Sequence, residues 1–278
     1  TITTTVAGDI TLTTSSETVT LTSVSSNSGD VNVTATGQNI IATSVTAGGT
    51  SKNVTLTTTT SGSITLGTVT AADDKILVTS AGAIEDADGT NATLVSASEL
   101  KLNSATGVGL SATPITTSVG TIAGQASTSG GIFIDEYSGG LTIGTVDSMN
   151  GLTAVAAAPG GNIAVTTNSA TATNPITVAK NITAAGDITL TAGEFSDSPD
   201  GPYLDDLTGN SGVTVQSSAG SITLRAGDDI SLATGSVLDD GGGAGDTITI
   251  TSGYVDLDLF GSVINTGTQI TISATEEG

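Results

Sequence analysis

Pairs of adjacent aspartates such as Asp205-Asp206, Asp228-Asp229 and Asp239-Asp240 have the residue types of an acid and a base. Two carboxyl groups flanking a glycosidic bond can divide its hydrolysis, one protonating the leaving oxygen while the other activates water or attacks the sugar. Polysaccharide hydrolases of that kind also place a His and cationic groups near the aspartates, and lyases need an Arg or Lys base. This chain has no His and a single arginine, Arg225. With no Cys either, imidazole bases, thiolate nucleophiles, disulfides and Cys/His zinc sites are removed together. The expectation is a protein that is not an enzyme.

The same carboxylates can act as oxygen ligands. "EDADGTN" sets Glu85, Asp86, Asp88 and Asn91 around Gly89. "FSDSPDGPYLDD" sets Asp197, Asp200, Asp205 and Asp206 around Gly201, and "LDDGGGAGD" sets Asp239, Asp240 and Asp246 beside a glycine run. Calcium takes about six to eight oxygens from a flexible loop, so calcium is the cofactor these loops could serve. None of them fits the EF-hand pattern, and the calcium-binding nonapeptide array is absent in register. Turns capped by an Asp side chain account for the same letters.

A net charge of -22, from 27 acidic and 5 basic residues, opposes binding to nucleic-acid phosphates and to anionic membrane surfaces. The absence of a long apolar run argues against membrane insertion. Two segments carry outward aromatics if their aliphatic residues point inward. In "GGIFIDEYSGG" these are Phe133 and Tyr137, and in "GYVDLDLFGS" they are Tyr254 and Phe260, accompanied by Asp256 and Asp258. Exposed aromatics on a Thr/Ser surface suit contacts between copies of the chain.

The elements that position these residues are short and repetitive. "AGDITLTAG" at 185–193 repeats "AGDITLTTS" at 7–15 and "AGSITLRAG" at 219–227. Alternation sends Ile188 and Leu190 to one face and Thr189 and Thr191 to the other. Gly186 is expected to turn the chain with positive φ, and Asp187 or its counterpart Ser221 to bond a turn amide. Markers such as Ile10, Val31, Val54, Ile64, Ile76, Ile163, Ile188, Ile222 and Ile248 recur near 10 or 21 residues. Such a period describes a β-solenoid with about 20 residues per coil and roughly 13 coils.

The fold expectation is therefore all-β, a right-handed parallel β-helix. Tandem small β-sandwich domains are the alternative, opposed by the scarcity of large aromatic core residues. One elongated unit over 1–278 is expected, with insertions near 81–131 and a loop at 193–212, as part of a longer or polymeric chain. Thr-x-Thr arrays on outward faces also raise an ice-binding solenoid, although alternation with a polar exterior produces them automatically.

The run of "AGDITLTAG", "SGSITLGTVTA", "AGSITLRAGDDISL" and "SAGAIEDADG" resembles the repeat region of filamentous haemagglutinin-type exoproteins of two-partner secretion and similar bacterial surface proteins. The likeness covers most of the chain. It implies a right-handed parallel β-helix exported to the bacterial surface or secreted, serving as an adhesin stalk or fibre. The secretion domain of that family, with its Asn-Pro signature, has no counterpart here, since Asn174-Pro175 lies in mid-chain. The functional expectation is an extracellular rod that associates with itself end to end or laterally. An adhesin stalk for surface glycans or host proteins is the alternative.

Overall fold

The computed structural model describes residues 2–4, 7–88, 94–156, 160–168, 173–193, 205–253, 257–259, 261–265 and 269–274. Their regular elements are all β-strands, 27 of them in one hydrogen-bonded sheet that winds as a right-handed parallel β-helix of about 10 turns. At about 4.8 Å per coil the rod is about 50 Å long. The turn number is lower than the expected 13 because the coils are longer than 20 residues. Ile10 pairs with Val31, 21 residues on, whereas Ile188 pairs with Ile222, 34 residues on.

Among the inner ladders that run the length of the rod, two show the stacking most plainly. The first stacks Ile10, Val31, Val54, Ile76, Leu100, Ile122, Ile143 and Val178, then continues through Gly209 to Leu232 and Leu259. The second stacks Val19, Ile40, Ile64, Ile84, Val108, Ile132, Ile163, Ile188, Ile222, Ile248 and Ile270. Nearly every ladder residue between Val31 and Ile250 is fully buried, and each buried Ile or Leu contributes about 1.5–3 kcal/mol. The interposed Thr residues stay half-exposed, as in the alternating burial of Ile188–Ala192. The short strands are stable only through this stacking.

One side of the coil is a flat five-residue strand and the other is bent, giving three strand segments per turn rather than the two a period of 10 suggests. In the early coils the flat side belongs to the first ladder, as in Ile10–Thr14 and Val31–Ala35. In the later coils it belongs to the second, as in Ile132–Glu136 and Ile163–Thr167. Correspondingly the first ladder divides into Leu141–Ile143 and Leu152–Ala154. The near-identical segments around Ile10 and Ile188 therefore lie on different ladders.

Gly186 departs from its expected role, since it is not among the glycines with positive φ. A Cβ there would lie 2.1 Å from Asn162 Oδ1, and that oxygen accepts the Asp187 amide at 2.9 Å. Glycine is needed for close approach of the coils, not for the turn. The stretch 193–212 also rejoins the rod earlier than its composition suggests, because Leu207–Gly209 pairs with Ile176–Val178.

Candidate functional site

The aspartates at the corners form a structural ladder of their own. Just before each strand, a side-chain oxygen accepts the backbone N–H of the equivalent residue one coil on. Asp9 accepts from Asp30, Asp30 from Asn53, and Asn53 from Lys75. Asn162 accepts from Asp187, Asp187 from Ser221, and Ser221 from Thr247. Asp and Asn suit this position because a short polar side chain reaches a neighbouring amide without leaving its own turn.

The expected metal ligands are largely absorbed by such contacts. Asp86 Oδ1 accepts the Asp88 amide at 3.0 Å, an Asp-capped turn. Asp239 accepts from the side-chain amides of Gln216 and Asn265 at 3.0 and 3.1 Å. Asp240 is buried, and its Oδ1 takes the Gly242 amide at 3.0 Å. Asp246 lies beside Gly243, to whose carbonyl its amide donates at 3.2 Å.

Asp205 and Asp206 are brought beside Asp228 and Asp229: Asp205 N donates to Asp228 Oδ2 at 3.0 Å, and Asp229 N donates to Asp206 Oδ1 at 3.3 Å. Burial pushes the Asp206 carboxyl above its ordinary range; the Asp229 amide opposes this, while the charges of Asp229, Asp228 and Asp205 reinforce it. Asp197 and Asp200 lie outside the described residues. Among the described residues, no group of three or more acidic side chains is placed to hold a metal ion.

The expected aromatic surface is found in part. Ile132 and Ile134 are buried, so Phe133, Asp135 and Tyr137 face outward, with Tyr137 43% exposed. Phe133 packs along the backbone at Gly131, where a Cβ would come within 2.8 Å of its ring. Tyr254, Asp256 and Phe260 lie outside the described residues. The backbone of Asp258 is in the strand Leu257–Leu259 and pairs with Ser231.

Among the described residues, three concavities gather around the stretch where flat and bent sides exchange. The largest, ≈ 510 Å³, is an open groove lined by Asp73, Ser96, Ser98, Ser118, Glu136, Ser138 and backbone glycines. Beneath it Glu136 occupies an inward position and is buried. Its Oε2 accepts from Thr117 Oγ1 at 2.8 Å and Val119 N at 2.9 Å, and its Oε1 accepts from the amide and hydroxyl of Ser138, each at 3.2 Å. Burial pushes this carboxyl up against the pull of those donors. With both oxygens engaged, Glu136 fastens a corner.

A second concavity, ≈ 430 Å³, lies under an antiparallel hairpin in which Thr145–Val146 pairs with Met149–Asn150. Asp147 and Ser148 turn it with φ of 46° and 66°. Lys101 reaches across to Asp147 at 2.5 Å and holds that carboxyl below its ordinary range. Lys75 pairs with Glu99 at 2.8 Å one coil earlier. Two of the five basic residues thus meet at this face.

The third, ≈ 170 Å³, is lined by Ser111, Pro114, Phe133, Ile134, Asp135, Ala164, Thr166 and Asn168. Asp135 Oδ1 is shut off from solvent and accepts no hydrogen bond, and burial pushes this carboxyl up.

No protein family, curated protein or solved structure matches the chain. The geometry therefore carries the functional reading. Sequence reasoning passed over Glu136 and the Lys101–Asp147 pair. Glu136 had a signal, since alternation from Ile132 and Ile134 places it inward; Lys101 and Asp147 are 46 residues apart with no pattern joining them.

Proposed function

We propose that this chain is a non-enzymatic structural rod of an extracellular bacterial surface protein, lengthened or bundled by self-association. The observation that carries the reading is the set of inner ladders in register from coil to coil, which makes a stiff scaffold from short strands. Placement outside the cell is supported by the resemblance to exoprotein repeats, the Thr/Ser exterior and the cysteine-free composition.

Association has a template in the strand Gln269–Ala274. It pairs with Thr247–Ser252 on one side. Ile270 and Ile272 are 42% and 47% exposed, although their ladder partners Ile248 and Ile250 are fully buried. A further strand of the same alternation, from the chain's own continuation or from a second copy, would cover them. Electron microscopy and sedimentation of the chain test this. Rods longer than about 50 Å are expected, and Ile270→Asp plus Ile272→Asp should return them to single length. A parent chain that stays at single length, with no lateral pairs, refutes the reading.

The concavities in mid-rod favour a second reading, an adhesin stalk that presents a binding surface on its side.

A further inference from the structure

The smallest of the three concavities combines features that corner fastening does not require. Its floor is the outward face of Ile132–Glu136 and its walls come from 111–114 and 164–168. Phe133 supplies an apolar ring held in place against Gly131. Beside the ring stands Asp135, half-exposed and part of the same lining. Its Oδ1 is closed to water and so to a ligand hydroxyl, which leaves the outer part of the carboxylate as the acceptor a ligand can reach.

The remaining polar lining is Ser111, Thr166 and Asn168, side chains that both donate and accept. A metal ion or a guanidinium would call for acceptors alone. A ring of hydroxyl groups asks for both, and its C–H face suits an aromatic surface. The volume of ≈ 170 Å³ lies below the roughly 300 Å³ at which pockets for drug-sized ligands begin, so it admits one ring and not a chain.

We propose that the cavity between Phe133 and Asn168 is a subsite for a single sugar ring, stacked on Phe133 and hydrogen-bonded by Asp135, Ser111, Thr166 and Asn168. This rests on the adhesin-stalk reading and not on self-association, so rods that fail to lengthen leave it standing. A longer glycan would enter with one residue in the subsite and the rest along the outer face.

Saturation-transfer NMR on the full chain tests it, with glucose, galactose, mannose, fucose and N-acetylglucosamine as probes. Transfer to at least one sugar is expected. Phe133→Ala and Asp135→Asn should each weaken binding by about tenfold or more, the loss of one charge-assisted hydrogen bond or one apolar platform. Thr166→Val, which keeps the strand and the shape, should weaken it by a smaller factor while the circular dichroism is unchanged. No transfer to any of the five overturns the proposal. So does transfer unaltered in the folded variants, or a response at Phe133 to calcium chloride or methylguanidinium with none to the sugars.

Discussion

Replacing Ser104 with Ala removes one buried hydroxyl from a corner without disturbing the ladders. Ser104 is 1% exposed. Its Oγ lies 2.8 Å from Gly82 O and 2.7 Å from Gly107 O, and it accepts the amides of Thr106 at 3.2 Å and Gly107 at 3.0 Å. The two carbonyls have other donors, from Thr106 and Ile84, and Thr106 N has another acceptor in Gly82 O. The Gly107 amide is the group the substitution strands. Alanine itself fits the position, because Ala126 stands at the register partner of Ser104 on the next coil. The cost is then that of one unsatisfied buried donor, about 1–3 kcal/mol. In native-state hydrogen exchange this predicts a loss of Gly107 protection of about 5- to 150-fold, confined to that coil and its neighbours. Protection within about twofold of the parent, or a loss spread evenly along the rod, would refute the corner-hydroxyl reasoning.

Two further outcomes follow from the charged groups. Asp206 has its folded pKa raised above the ordinary 3.8. Between those values the folded chain holds a proton that the unfolded chain has lost, so stability declines as pH rises through the window. Asp206→Asn, which keeps the acceptor for Asp229 N, should raise the melting temperature at pH 7 by about 1–3 °C and make no difference below about pH 3.8. An equal shift at both pH values would show that the charge is not the cause. Asp147→Asn should free the hairpin from Lys101, speeding amide exchange at Val146 and Met149 a few-fold with no effect on the ladders. High salt should shrink that difference by screening the exposed pair, and a difference independent of salt would count against the ion pair.

Much of the fold is legible in two letters' worth of alternation. Ile188 and Leu190 are buried and Thr189 and Thr191 half-exposed because a two-residue period forces it. The same rule brings Ile132 and Ile134 inward, and it brings Glu136 with them. Assignment of strands to ladders is not legible. Ile10 and Ile188 sit in nearly the same words, yet one stacks on Val31 and the other on Ile163. Which strand an aliphatic segment meets depends on how many residues separate it from the preceding corner, and that spacing lies outside the segment. The role of Gly186 is hidden for a similar reason: the atom it must avoid belongs to Asn162, a full coil away. The candidate subsite was half legible, since Phe133 and Asp135 read as outward neighbours while their walls come from distant segments.

The exchange of sides and the location of two of the three cavities have one cause. In a regular coil the inner positions are filled by aliphatic ladders, and the outer positions are a flat lawn of hydroxyls that encloses nothing. A flat strand can pass from the first ladder to the second only if one side loses a corner while the other gains one. Between residues 108 and 154 the extra chain needed for this appears as the turn 110–114 and the hairpin that ends at Asn150. The turn walls the ≈ 170 Å³ cavity with Ser111 and Pro114, and the hairpin roofs the ≈ 430 Å³ one. The residues that interrupt the repeat thus make concave surface because they interrupt it. A rod of this kind gains recognition by shifting its corners, and the place to look for a ligand on it is where the ladder assignment changes.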